Sequence, residues 1–277
     1  MVGLDNIGFI QGRLSPLVNG MIQAFPWQHW REEFTIAKKH SFSLMEWTLD
    51  QEDLYKNPLM TKSGQEEILL LCKQNKIRIP ALTGDCFMQA PFYKSPGKDQ
   101  IKLIDDFINI VHACGQLKIN YIVFPLVDNG ALETKAEEEI LETVLRQEIQ
   151  PLLKKEKINI IFESDYSPKK LKTFIEMFDP LYFGINYDMG NSASLGYDPD
   201  KEFSLYGNRI YHVHVKDRVL HGGTVPLGKG NVDFDKVFRG LNNLNYSGYY
   251  MLQTARAKDN NHAEVLCQYR EQVKNWI

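Results

Sequence analysis

The chain predicts an α/β fold of the (β/α)8 class, a TIM barrel formed as a single domain across residues 1–277. Strand-like apolar runs alternate with amphipathic runs from end to end, eight times over, in a length that suits one such barrel. No Gly-rich phosphate fingerprint follows the first strand, which argues against the rival doubly wound sheet. Residues that bind metals or orient ligands fall at the ends of four predicted strands, about one strand–helix unit apart. In a parallel barrel that spacing returns them to the same rim.

The first strand is Ile7–Gln11, reached within a few residues of Met1, and Leu44–Thr48 is the second. Ile77–Thr83 is the third, and Tyr121–Leu126 follows a helical pattern of Ile101, Ile104, Ile108 and Val111 at spacings of three and four. A second such pattern, Leu141, Val144, Leu145, Ile149 and Leu152, leads into the fifth strand, Asn159–Ser164. Phe183–Asp188, Ile210–Asp217 and Gly248–Thr254 complete the set. The segment Gly84–Gly97, with Pro80, Pro91 and Pro96 in or near it, reads as a long loop after the third strand. Barrels usually keep substrate contacts in loops at that rim. No linker, low-complexity segment or charge block divides the chain.

A hydrophobic content of 43% supports a substantial core. The net charge of −3 and a pI near 6.2 give no electrostatic footprint for nucleic acid or an acidic membrane surface. Cys72, Cys86, Cys114 and Cys267 have no paired spacing, so reduced thiols in a cytoplasmic protein are expected, without a zinc knuckle or a disulfide framework. The early first strand leaves no room for a signal peptide, and no apolar run reaches the length of a transmembrane helix.

The strand-end residues are Glu163, Asp188, His214 and Gln253, separated by 25, 26 and 39 residues. Oxygen and nitrogen donors converging on one rim would suit a divalent cation, although a carboxylate would be the expected donor at position 253. The seventh strand carries the strongest signal. Alternation places His212, His214 and Lys216 on one face and Tyr211, Val213 and Val215 on the other. The apolar set packs outward against helices, so two imidazoles and an ammonium face the barrel interior or its mouth. Without partners each would cost about 1–3 kcal/mol. Asp188 has a competing structural role as the cap of a helix beginning at Met189.

The loop from Lys216 to Asn231 contains four glycines, which let backbone amides turn toward a ligand, and Lys216, Arg218 and Lys229 add positive charge. A phosphorylated substrate is one reading of it, and a solvated flexible loop is the other. Asp233 or Asn231 is expected to cap the helix near Phe234. Phe25, Trp27, Trp30, Trp47, Phe87 and Phe92 gather in or near the first three loops. They would either stack on a sugar or pack between helix and barrel or between subunits, which leaves a homo-oligomer open.

Three segments resemble the xylose isomerase-like barrel superfamily, in particular its sugar phosphate isomerase/epimerase branch. They are Asp188-Met-Gly-Asn-Ser-Ala-Ser-Leu-Gly-Tyr-Asp198, His212-Val-His-Val-Lys-Asp217 and Val225-Pro-Leu-Gly-Lys-Gly-Asn-Val-Asp-Phe234. Gly8–Pro16, Glu46-Trp-Thr-Leu-Asp50 and Glu163 also look like the family, whose pentulose-5-phosphate and hexulose 3-epimerases are the nearest in character. The resemblance implies one divalent ion, of the Mn²⁺, Mg²⁺, Zn²⁺ or Co²⁺ type, held by Glu163, Asp188, His214 and the residue at 253. It implies a sugar or sugar phosphate substrate, with Glu163 as both ligand and base. In the family's epimerases a second Glu, from the eighth strand, returns the proton to the opposite face. Here that position is Gln253, whose amide cannot shuttle protons near neutral pH. A one-base isomerisation, a dehydratase or lyase reaction, and a non-catalytic sugar-binding barrel therefore stay open, and Glu46 or Asp85 are candidates to supply the missing carboxylate. Glu46, His212, Lys216 and Arg218 are expected at the substrate. An endonuclease IV-like DNA repair enzyme would need a multi-metal cluster, histidines on strands two to four and a basic face, none of which this sequence offers.

Overall fold

In the computed structural model, which describes residues 6–277, eight parallel strands close into a barrel. They are β1 (Ile7–Ile10), β2 (Met45–Thr48), β3 (Ala81–Thr83), β4 (Tyr121–Leu126), β5 (Asn159–Ser164), β6 (Phe183–Asp188), β7 (Ile210–Val215) and β8 (Tyr249–Leu252). Each strand pairs with its sequence neighbours, and β8 returns to β1 through Ile7 beside Tyr250 and Phe9 beside Leu252. Eight outer helices follow: α1 (Trp30–Lys39), α2 (Lys62–Asn75), α3 (Gly97–Leu117), α4 (beginning with Lys135–Val144), α5 (Pro168–Glu176), α6 (Pro199–Tyr206), α7 (Phe234–Asn243) and α8 (His262–Trp276). Helix α4 continues through a π-turn at Leu145–Ile149 into Gln150–Glu156. Pro151 explains the widened turn, because it has no amide to donate and its ring crowds the carbonyl one helical turn earlier.

The apolar faces of strands and helices make one continuous core between sheet and helices, including Phe9, Trp47, Phe124, Phe162, Val213 and Val215. The barrel interior differs. Its apolar plug is the small cluster Ile10, Leu44 and Met251. Gly8 makes room for it, since a Cβ there would stand 2.5 Å from Met251 Sδ. Toward the C-terminal rim the interior becomes polar.

Besides shifts in strand bounds, two segments differ in kind from the sequence expectation. Gly84–Gly97 is not all loop: Asp85–Gln89 forms a short helix and Phe92–Lys94 a 3₁₀ turn. The seventh strand stops at Val215, and Asp217–Arg218 turns away to pair antiparallel with Thr224–Val225. No helix among the described residues is long and apolar enough to cross a membrane. The four cysteines are free.

Candidate active and metal site

Alternation along β7 aims His212 and His214 into the barrel, because Val213 and Val215 are taken by the outer core. Asp188 lies beside His214 in the β6–β7 register, and Glu163 ends β5. One donor atom each from Glu163, Asp188 and His214 lies within 4.8 Å of the others. All three residues are buried.

Each ligand atom is held from behind. Glu163 Oε1 accepts from Asn191 Nδ2 at 2.7 Å, and Oε2 accepts from Asn186 Nδ2 at 2.9 Å and lies 3.1 Å from His214 Nδ1. Asp188 Oδ1 accepts from the Asn191 amide at 2.8 Å, so the carboxylate does cap the short helix Met189–Ser194 while Oδ2 faces the site. The other His214 nitrogen, Nε2, lies 2.9 Å from Glu46 Oε1, and Glu46 Oε2 lies 2.6 Å from His212 Nε2. Thr83 Oγ1 also donates to Glu46.

Burial opposes charge on His214, but the carboxylates of Glu46 and Glu163 outweigh it and lift the imidazole to about 10. Burial likewise opposes charge on Glu163 and Glu46. His214, with Lys216 in the first case and His212 in the second, nevertheless holds both carboxyls below their ordinary range.

Two carboxylate oxygens and an imidazole nitrogen, with the second nitrogen tied to a carboxylate, make a donor set that fits a divalent ion. With Nε2 tied to Glu46, His214 Nδ1 is the nitrogen that would be offered to such an ion. A fourth position is occupied differently from a carboxylate. Lys216 Nζ donates to Asp188 Oδ2 at 2.9 Å and to Gln253 Oε1 at 2.8 Å, so an ammonium bridges the Asp188 carboxylate and the amide. Gly190 leaves space for its stem, as a Cβ there would stand 2.7 Å from Lys216 Cγ. Gln253 Nε2 in turn donates to Gln23 Oε1 at 2.9 Å.

Above these groups opens a cavity of about 480 Å³, walled by Glu163, Asn191, Lys216, Arg218, Gln253, Gln23 and Asp85 among others. Arg218 reaches it while donating to Asn191 Oδ1 at 2.8 Å and to the Gly222 carbonyl at 2.9 Å. Lys216 and Arg218 are therefore placed to meet a ligand. His212 and Glu46, expected at the substrate, have 0% exposure and do not line this cavity; instead Glu46 bonds both imidazoles from below. The glycine loop is also used differently from the phosphate reading. The amides of Gly228, Lys229 and Gly230 all donate to Asp217 Oδ2, leaving none of the three for a ligand. Asp233 caps α7, and Asn231 accepts from the Leu220 amide instead. None of the six aromatics lines the cavity: Trp27 is exposed, and the other five are buried, with Phe25 5.4 Å from Trp47 and Phe87 stacked on Phe124 at 4.7 Å.

Sequence reasoning missed Asn186, Asn191 and Gln23. Asn186 shares the inward face of β6 with Asp188 and was open to the same alternation argument. Gln23 lies in the loop after β1 and carries no pattern that marks it.

The family model for the xylose isomerase-like TIM barrel matches residues 34–275. SgbU of Escherichia coli (strain K12), provisionally named an L-ribulose-5-phosphate 3-epimerase, is 25% identical over 250 residues, covering 83% of this chain and 86% of that protein. An inosose dehydratase from Clostridium tetani (strain Massachusetts / E88) is 30% identical over 103 residues, 31% of this chain and 35% of that one. The crystal structure of IOLI protein with a bound zinc atom superimposes with a TM-score of 0.75 at 16% identity, over 98% of this chain and 99% of that one. A closed eight-stranded barrel and a model match across most of its length place this chain in the xylose isomerase-like TIM-barrel family.

Proposed function

We propose that this protein is a metal-dependent isomerase or epimerase that acts on a sugar or sugar phosphate through a cis-enediolate. The observation that carries the reading is the convergence of donor atoms of Glu163, Asp188 and His214 within 4.8 Å of one another, with Glu163 opening onto the cavity. The epimerase name of a relative that aligns over 83% of this chain supports it. A divalent ion held by those three residues would polarise adjacent substrate oxygens as a Lewis acid.

The chain's own residues do the rest. Glu163, kept ionised by His214 and Lys216, takes the proton from the carbon next to the substrate carbonyl. Asn186 and Asn191 hold both of its oxygens and fix the direction of attack. Arg218, whose Nη2 has no partner among the described residues, donates to substrate oxygens where negative charge develops. Lys216, its three N–H groups held by Asp188, Asn191 and Gln253, adds positive charge beside them. Gln253 orients Lys216 and moves no proton.

Metal analysis of the purified protein, combined with a panel of ketoses and ketose phosphates, tests this. The expected result is about one Mn²⁺, Mg²⁺, Zn²⁺ or Co²⁺ per chain, turnover of at least one ketose, and loss of both in Asp188→Ala. A metal-free protein that binds a ketose without converting it would make this a sugar-binding barrel. A dehydratase is the second reading, favoured by the inosose dehydratase match over 31% of this chain and by an amide, Gln253, where a second proton-transferring Glu would be expected. Loss of water from an inosose would identify it.

A further inference from the structure

An enediolate formed by Glu163 must be reprotonated, and the amide at position 253 cannot do it. We infer that Asp85 returns the proton, as a second catalytic carboxyl on a separate wall of the same cavity. This rests on the isomerase or epimerase reading of the Glu163 site.

Asp85 lies just beyond β3, two strands round the barrel from Glu163, and both residues line the cavity with Lys216 and Gln253. Asp85 is 8% exposed. Its Oδ2 accepts from Gln23 Nε2 at 2.8 Å, and Oδ1 has no hydrogen-bond partner among the described residues. One oxygen is thus anchored while the other is free to carry a proton. Gln23 is itself fixed, because its Oε1 accepts from Gln253 Nε2 at 2.9 Å and from an Arg13 guanidinium nitrogen at 3.2 Å. Position 253 therefore reads as part of a support: a carboxylate there could not donate to Gln23, and the chain Gln253–Gln23–Asp85 would break.

Burial works against charge on Asp85, and Asp50 and Glu163 add to it. Together they outweigh Gln23 and Arg13 and push the carboxyl up to about 7. A group with that value holds a proton for delivery at neutral pH and can regain it afterwards. The other acids near the cavity are worse placed. Asp165 follows Glu163 on the same strand end, Asp128 is exposed, and Glu46 is sealed beneath the two histidines.

In the step itself, Glu163 takes the proton and the C–H pair becomes the C=C bond of the enediolate, while the carbonyl pair moves onto oxygen. Asp85 then protonates the opposite face of the same carbon. The C=C pair forms the new C–H bond, and the oxyanion re-forms the carbonyl. Glu163 is left protonated and Asp85 ionised, and exchange with cavity water resets both.

The test uses Mn²⁺-loaded full-length protein in D₂O with L-ribulose 5-phosphate, L-ribulose and D-allulose as probes, followed by NMR. Wild type should incorporate deuterium into recovered substrate and form epimer. Glu163→Gln should do neither. Asp85→Asn, which keeps an oxygen for Gln23, should retain exchange within about fivefold and lose epimer formation by about 100-fold or more. Its ketose affinity by calorimetry should stay within about threefold, and Asp85→Glu should recover part of the rate. Asp85→Asn that forms epimer within tenfold of wild type, or loses exchange and epimer together, overturns the role of Asp85 and leaves the isomerase reading standing. Should Asp85→Asn fail to fold, Asp85→Ala supplied with formate reads the same step: rescue of epimer formation supports the assignment and its absence overturns it. Wild type inert toward all three probes overturns the isomerase reading and this assignment with it.

Discussion

Gln253 is the residue on which the chemistry of the rim turns. Its amide oxygen accepts from Lys216 and its amide nitrogen donates to Gln23, so both ends are committed. Replacing it by Glu adds a negative charge beside Asp188 and removes the donor to Gln23. Charge count is a main determinant of affinity for a hard cation. Gln253→Glu should therefore bind Mn²⁺ about tenfold more tightly or better in isothermal titration calorimetry, while Asp85 loses its anchor. An unchanged affinity would show that position 253 does not reach the ion. At this scale the sequence was informative where alternation applies: Glu163, Asp188 and His214 end consecutive strands, and period-2 reasoning placed them together. It was silent about Gln23, a loop residue with no period, and it expected Glu46 at the substrate, since nothing in the pattern shows a contact with His212 across 166 residues of chain.

Among the elements, β7 and the segment after it show where pattern reading stops. All eight strands were legible from apolar runs and their spacing, and β4, β5 and β6 match the predicted bounds. The third was drawn too long, since β3 begins only at Ala81, after Pro80, which has no amide to give the ladder. The four glycines after β7 suggested a ligand-binding turn, yet two of them, Gly228 and Gly230, serve a buried Asp217. Its carboxylate takes three amides on Oδ2 and the Val232 amide on Oδ1. Composition alone does not distinguish amides turned to a ligand from amides turned to a neighbouring side chain. Asp217→Ala leaves those donors without their acceptor and releases the hairpin that carries Arg218 to the cavity. The expected loss is roughly 2–4 kcal/mol in urea denaturation, since bonds to a charged acceptor are worth about 1.5–3 kcal/mol each and do not sum fully. Hydrogen exchange at residues 228–232 should quicken. Unchanged exchange there would mean that the loop is held by other contacts.

Across the whole molecule, the barrel divides its interior between an apolar plug and a polar one. Ile10, Leu44 and Met251 fill the first, and Glu46 organises the second by bonding His212 and His214 from the far side of the barrel, with Thr83 beside it. The strands so joined, β2 and β7, are not neighbours in the sheet, so Glu46 crosslinks the barrel as well as orienting the His214 imidazole. Glu46→Gln removes the anion from beneath two buried imidazoles. Breaking one member of a buried ionic cluster costs about 3–5 kcal/mol, and losing the outer partner of a metal-bound histidine weakens metal affinity about 10–100-fold. The pH dependence follows from the raised value of His214. In metal-free wild type, the stability that His214 contributes is fully present below its ordinary value near 6.5 and is lost as pH rises through about 10. In Glu46→Gln the folded value falls, so the alkaline loss shrinks and the gap between variant and wild type narrows from pH 6 to pH 10. Urea denaturation of EDTA-treated protein at pH 6, 8 and 10 measures it. A gap that stays constant across that range would mean that Glu46 stabilises the barrel through packing rather than through the charge of His214.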